Sequence, residues 1–379
     1  MKIALVHYSA PPVIGGVERI VGEQVAILRR AGHLVTLCCF EGGEAVQTDR
    51  LVRLSRAWSS TQLESVLLEA LGSSEVVFLH NVGTMPFHLP LTAALRSAAA
   101  QTPGIRWLCW VHDLACGNPD YPPGLSEDWR PLMEEASPSW AYIAISHNRA
   151  EEVQRRLGVK CNTIPNGICL KTTLGLPEEL SEFAETSGCW DADYVLFHPC
   201  RLVRRKKIET GIRVVKALTE FGRSTRYLIT AAVDPHRPES AAYFEELKSL
   251  VRSLGVEREV HFLWEHFPIS SEVLRGLYAV SDGLFFPGLQ EGFGLPLLEA
   301  TASRLPAFCP NGEPMNQLPG AVCWPSSWTP ERIAHWLIRQ IETRHPIQAR
   351  KNLVRSYRWA SIYRNFLAPL FHQPQHRNP

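Results

Sequence analysis

Short apolar runs recur along this chain, each followed by a longer stretch in which apolar residues fall three and four positions apart. That alternation is the pattern of a parallel β-sheet covered by helices on both faces, because parallel strands need long crossovers and are buried on both sides. The first unit shows it well. Residues 3–6 form a continuous apolar strand, and a Pro/Gly loop ends at Gly15 and Gly16. Val17, Ile20, Val21, Val25 and Leu28 then share one helical face, which Gly32 closes before a second strand at 34–40. The same reading predicts strands at 76–79, 107–111, 142–145, 194–197, 227–231, 260–263 and 283–286. Between 168 and 193 the strand pattern lapses and the sequence turns acidic and polar. The chain therefore divides into a domain at 1–170, a linker at 171–193 and a domain at 194–355. A last amphipathic stripe over 356–372, with Trp359, Ile362, Tyr363, Phe366 and Leu370 on one side, needs a partner surface.

A length of 379 residues suits two domains that each bury a core. Thirty-nine basic and 38 acidic residues leave a net charge of +1, which excludes a nucleic-acid or anionic-membrane binder by bulk charge. The N-terminal apolar run is far shorter than the core of an export signal, and no stretch approaches a membrane span, so a cytoplasmic protein is expected, with any contact at the membrane's inner face peripheral. The ten cysteines lack zinc-ligand spacing and read as reduced, mostly buried thiols.

The most informative stretch runs from Glu291 through Gly292, Phe293, Gly294 and Leu295 to Glu299, directly after the strand at 283–286. Glycines let the backbone approach a ligand closely, Pro296 suits the first turn of a helix, and the unpaired amides of Gly294 and Leu295 would face an anion. Glu299, one turn into the helix, is placed to accept from a ribose. A second cluster, Arg201 to Lys207, follows the strand at 194–197; so many cations need either solvent or an anion, and a diphosphate supplies one. Arg204, Arg205 and Lys207 also fit a solvated loop. The N-terminal half offers the Gly15-Gly16 turn, His112-Asp113 after a strand, Pro165-Asn166-Gly167 after 161–164, and His7, His80 and Asn81 at other strand ends. Asp191-Ala192-Asp193 precedes a strand and reads as solvated linker instead of a metal pair. Nicotinamide-type glycine fingerprints, phosphate loops and nucleophile elbows are absent, which removes the central feature of dehydrogenase, ATPase and hydrolase readings.

Taken in order, Gly15-Gly16-Val17-Glu18, His112-Asp113, Ser146, Pro165-Asn166-Gly167-Ile168, Arg201 to Lys206, and Glu291 to Glu299 resemble the retaining family-4 glycosyltransferases of the GT-B fold, an α/β architecture of two doubly wound, Rossmann-like domains facing a cleft. The last motif is similar to the family's Glu-x7-Glu signature, and Arg201 with Lys206 to its diphosphate clamp. The resemblance implies an acceptor-binding N-terminal domain, a nucleotide-sugar-binding C-terminal domain and a final helix crossing back. It implies sugar transfer from a nucleotide-diphosphate donor, UDP- or GDP-linked, to an acceptor hydroxyl with retained configuration and without a metal or cofactor. Arg201 and Lys206 would neutralise the diphosphate. Gly15, Gly16, Gly292, Phe293, Gly294, Leu295 and Asn166 would bind the donor, and Glu299 its ribose. Glu291 would face the sugar and His112 the reacting centre, with a diphosphate oxygen taking the acceptor proton.

Three departures bear on this likeness. Cys200 and Cys169 stand at donor-pocket positions where the family usually has Gly and Asp. Arg304 replaces a usual glycine after the Glu299 helix. The acceptor, whether a sugar, a lipid-linked or another small molecule, is left open, as is the oligomeric state. The alternatives are a catalytically silent GT-B binding protein or a GT-B epimerase or phosphorylase.

Overall fold

The computed structural model describes residues 1–121, 129–233, 236 and 238–372. Two compact units emerge: Met1–Cys169 together with the segment from Tyr357 onward, and Leu170–Ser356. The first unit holds seven strands, β1 (Lys2–Val6), β2 (Leu34–Cys39), β3 (Arg50–Arg53), β4 (Val76–His80), β5 (Arg106–Val111), β6 (Trp140–Ala144) and β7 (Cys161–Thr163). They lie in the order β3-β2-β1-β4-β5-β6-β7, all parallel. The second holds β8 (Tyr194–His198), β9 (Thr225–Ile229), β10 (Val260–Phe262), β11 (Gly283–Phe285), β12 (Ala307–Pro310) and β13 (Ala321–Trp324), in the order β10-β9-β8-β11-β12-β13, again all parallel. These are the two doubly wound sheets of the expected α/β class.

In each sheet the strand order reverses once, between β1 and β4 and between β8 and β11. Loops leaving the carboxyl ends of two such strands diverge to opposite faces and open a crevice, where ligands of doubly wound folds bind. The central strands β4 and β8 are buried along their whole length, which is why they read as unbroken apolar runs. Strands β3, β12 and β13, absent from the sequence reading, are four residues each, too short to show a period.

Residues 171–193 are not structureless. They carry the helices Leu170–Leu174 and Glu178–Thr186, and Leu180, Phe183 and Ala184 are buried while the acidic residues take the outer side. Asp193 is likewise no solvated linker residue: its carboxylate accepts from Ser224 N at 3.0 Å and Ser224 Oγ at 3.1 Å and meets Arg355 Nη2 at 2.8 Å. The chain returns to the first unit at Tyr357, whose carbonyl accepts from Ile168 N at 2.8 Å. Trp359, Ile362, Leu367 and Leu370 then join the core formed by Ile3, Leu5, Val21 and Leu28. Leu367 is fully buried where the helical stripe placed Phe366, because residues Tyr363–Leu367 form a wider π turn that shifts the inward face by one position. Among the described residues no helix is long and apolar enough to cross a membrane.

Candidate functional site

In the first unit the crevice between β1 and β4 is a recess of about 450 Å³ whose walls include Ser9, Gly16, Glu18, Arg56, Phe87 and Asp113. Gly15 precedes the helix Gly16–Arg30, and the Glu18 carboxylate folds back over it so closely that a Cβ at Gly15 would lie 1.9 Å from Glu18 Oε2. A side chain at Gly15 would have to displace that carboxylate, whereas a Cβ at Gly16 would meet nothing within 4 Å and would project into open space. Glu18 accepts from Ser9 Oγ at 2.7 Å and lies 3.7 Å from His7 Nε2, and the nearby His7, followed by the Ser9 hydrogen bond, holds its carboxyl down at about 2.

His112 follows β5, buried to 5% exposure. Its backbone N–H and that of Asp113 both donate to Asn81 Oδ1, at 2.9 and 3.0 Å. Asn81 itself sits at φ 58°, a left-handed conformation asparagine tolerates better than most residues. The ring of His112 meets His80 Nδ1 through Nε2 at 3.0 Å, and His80 Nε2 meets Gln24 Oε1 at 2.7 Å. Burial pushes the His112 imidazole down to about 3 and His80 well below its ordinary value, so both rings are neutral near pH 7. Gln24 was not visible in the sequence, because it occupies the buried face of an otherwise apolar helix stripe.

Gly167 serves another end than a glycine-rich loop suggests. A Cβ at Gly167 would lie 2.5 Å from the Trp359 indole, so Gly167 lets the C-terminal segment dock. Asn166 Oδ1 is buried without a hydrogen-bond partner among the described residues.

The second unit builds its crevice from the loops after β8 and β11. Lys206, only 7% exposed, is ion-paired with Glu291 and lies 4.7 Å above the Phe286 ring. Glu291 also meets Arg205 Nη1 at 3.3 Å, and Arg205 donates to Gln290 O at 2.8 Å. Arg205 therefore belongs to this cluster, whereas Arg204 turns outward to Glu246 at 2.7 Å. Arg201 stands exposed with no side-chain partner among the described residues. Lys207 is not merely solvated: it takes the left-handed conformation, φ 53°, that starts the helix Ile208–Glu220. After Glu291 the loop runs through exposed Gly292 and Phe293 to Gly294, whose φ of 94° starts the helix Leu295–Ala302. Glu299 Oε2 accepts from the Tyr278 hydroxyl at 2.5 Å, a partner the sequence did not reveal. Helix Leu295–Ala302 ends with Arg304 at φ 58°, Leu305 N bonding Ala300 O at 2.8 Å and Arg304 N bonding Thr301 O at 3.0 Å. That is the paired-bond ending in which glycine is usual, here imposed on an arginine. Cys200 serves the loop's own geometry, its N–H donating to Thr230 Oγ1 at 3.0 Å.

Two doubly wound parallel sheets, one carrying a Gly-Gly turn beside a held histidine and the other a cation-carboxylate pair before a glycine-led helix, define the GT-B class of protein. The chain belongs to the family-4, group 1 glycosyltransferases: the model "Glycosyltransferase Family 4" matches residues 14–172 and "Glycosyl transferases group 1" matches residues 185–318. Among curated proteins it is similar to mannosylglucosylglycerate synthase of Thermotoga maritima, 26% identical over 45% of this chain and 42% of that one. The same enzyme of Petrotoga mobilis is 23% identical over 62% and 59%. The chain thus spans about half the length of the curated relatives it matches. A solved glycosyltransferase from Rickettsia africae is 15% identical, covering 98% of this chain and 97% of that one at a TM-score of 0.40.

Proposed function

We propose that this chain transfers a hexosyl group from a UDP- or GDP-linked donor to an acceptor hydroxyl with retained anomeric configuration, the second unit binding the donor and the first the acceptor. The observation that carries the reading is Lys206, held almost out of solvent between Glu291 and the face of Phe286 at the reversal point of the second sheet. A cation fixed there before the ligand arrives stabilises charge developing on a leaving diphosphate without rearranging during the reaction. Exposed Arg201 supplies a second positive charge, and the amides of Gly294 and Leu295 offer donors at a helix start. Glu299, steadied by Tyr278, accepts from the ribose hydroxyls. Two cations in place of a metal make turnover indifferent to chelator, with the diphosphate oxygen taking the acceptor proton. The two mannosylglucosylglycerate synthases among its relatives support a hexosyl donor.

The test is a panel of UDP- and GDP-hexoses incubated with the full chain and chelator, followed by NMR of the released or transferred sugar. Hydrolysis or transfer giving the donor's own anomeric configuration is expected. Inverted product, or activity that returns only with added divalent metal, overturns the mechanism.

A further inference from the structure

Gln24, His80 and His112 form a buried polar chain, with exposures of 0%, 0% and 5%. An amide placed on the buried face of a helix, among Val21, Val25 and Leu28, costs about 1–3 kcal/mol unless it is bonded, so its partner matters. That partner is His80, which meets the amide oxygen, while the amide Nε2 is buried with no hydrogen-bond partner among the described residues. The Gln24 carbonyl oxygen can only accept, so His80 carries its proton on Nε2. A neutral imidazole then has a bare Nδ1, and burial keeps His80 neutral. His112 Nε2, 3.0 Å from that bare nitrogen, must be the protonated one. His112 is left with a lone pair on Nδ1, which makes no hydrogen bond among the described residues.

We propose that Gln24 and His80 are positioning residues that lock His112 in its Nε2–H tautomer, so that Nδ1 accepts a hydrogen bond from a substrate hydroxyl and cannot donate one to a diphosphate oxygen. This rests on the reading that His112 lies at the reacting centre. Two consecutive residues hold His112 in different ways, Asn81 fixing its backbone through two N–H bonds and His80 fixing its ring. The relay also gives the amphipathic helix Gly16–Arg30 a second role, since it starts at the glycine turn and reaches the histidines from its third turn.

The experiment is nitrogen NMR on the full chain labelled with ¹⁵N-histidine, with the His112 signals identified by their loss in His112→Asn. The expected spectrum of the unaltered protein has a bare Nδ1 and a protonated Nε2 on His112. In Gln24→Leu the two signals should move toward each other as the tautomers mix, and kcat for donor turnover should fall roughly tenfold with KM within about twofold. A proton on Nδ1 in the unaltered protein, meaning Gln24 turns its NH₂ to His80, overturns the proposal, as does an unchanged His112 spectrum in Gln24→Leu. The unaltered spectrum decides the tautomer even if Gln24→Leu does not fold. Failure of every nucleotide sugar to react, with the expected tautomer present, removes the functional reading and leaves the lock standing.

Discussion

The two crevices share one topology and use opposite electrostatics. In the first unit the held group is a neutral imidazole, reached through a chain of buried hydrogen bonds from Gln24 through His80. In the second it is an ammonium, compensated by Glu291 and backed by an aromatic face. A neutral chain has direction: each member dictates which nitrogen of the next carries a proton, and it sets up little field. An ion pair has field and little direction, and its members stay charged because each offsets part of the other's desolvation. The same strand order thus supports a unit that orients a hydrogen bond and a unit that stabilises charge.

The largest expected effect tests the charged side. Lys206→Ala removes the fixed cation and leaves Glu291 with Arg205 alone, and turnover should fall about a hundredfold or more, the scale of one preorganised contact. Glu291→Gln should do the same by freeing Lys206, and circular dichroism should report an intact fold for both. Steady-state kinetics showing less than a tenfold loss in either variant would break the contrast. Next comes Gly167→Ala, whose Cβ enters the Trp359 indole at 2.5 Å. It should destabilise the first unit by about 1–3 kcal/mol, the usual cost of overpacking. Calorimetry should show the first unit's transition move while that of the second stays.

Acid distinguishes the neutral side. Folded His112 protonates only at about 3, whereas an unfolded histidine does so near 6.5. Its contribution to stability is therefore complete above about 6.5 and is lost as pH falls toward 3, at ~1.4 kcal/mol per pH unit. The His112 ring shifts should stay constant from pH 8 to about 5, and titration of that ring near 6.5 would show that the burial does not hold it neutral. The smallest effect belongs to the second unit. Arg304→Gly relieves a left-handed arginine and should raise that unit's stability by about 0.5–1 kcal/mol, part of the relief being offset by the freer unfolded chain. Urea denaturation should show the gain with the first unit unaffected.

How much of this could be read from sequence follows from how far apart the interacting residues lie. Period and run length predicted the two sheets, and Glu291, Gly294 and Glu299 were legible because one loop and the helix after it carry them all. Arg205 was ambiguous, since only the register of β8 against β11 brings it to Glu291. Gln24 and His80 are separated by 56 positions, and His80 and His112 by 32. No local pattern joins them, and a glutamine inside an apolar stripe looks like noise until the sheet is assembled. Gly167 was visible as a loop glycine, but its reason, the Trp359 ring, lies almost two hundred positions downstream. The C-terminal π turn escaped because a period of 3.6 carries no sign of where it will widen.

The return of the chain to its first unit at Tyr357 has a consequence for synthesis. On a ribosome, residues 1–169 emerge before 170–356, yet the surface of Ile3, Leu5 and Leu28 that Trp359 and Ile362 cover stays bare until those two residues have been made. The second unit, continuous from Leu170 to Ser356, has every residue it needs earlier. The half that is made first is thus the half that is finished last. During that interval its apolar face is what a chaperone would see, and a chain stopped at Ser356 would carry one finished unit attached to one that lacks part of its core.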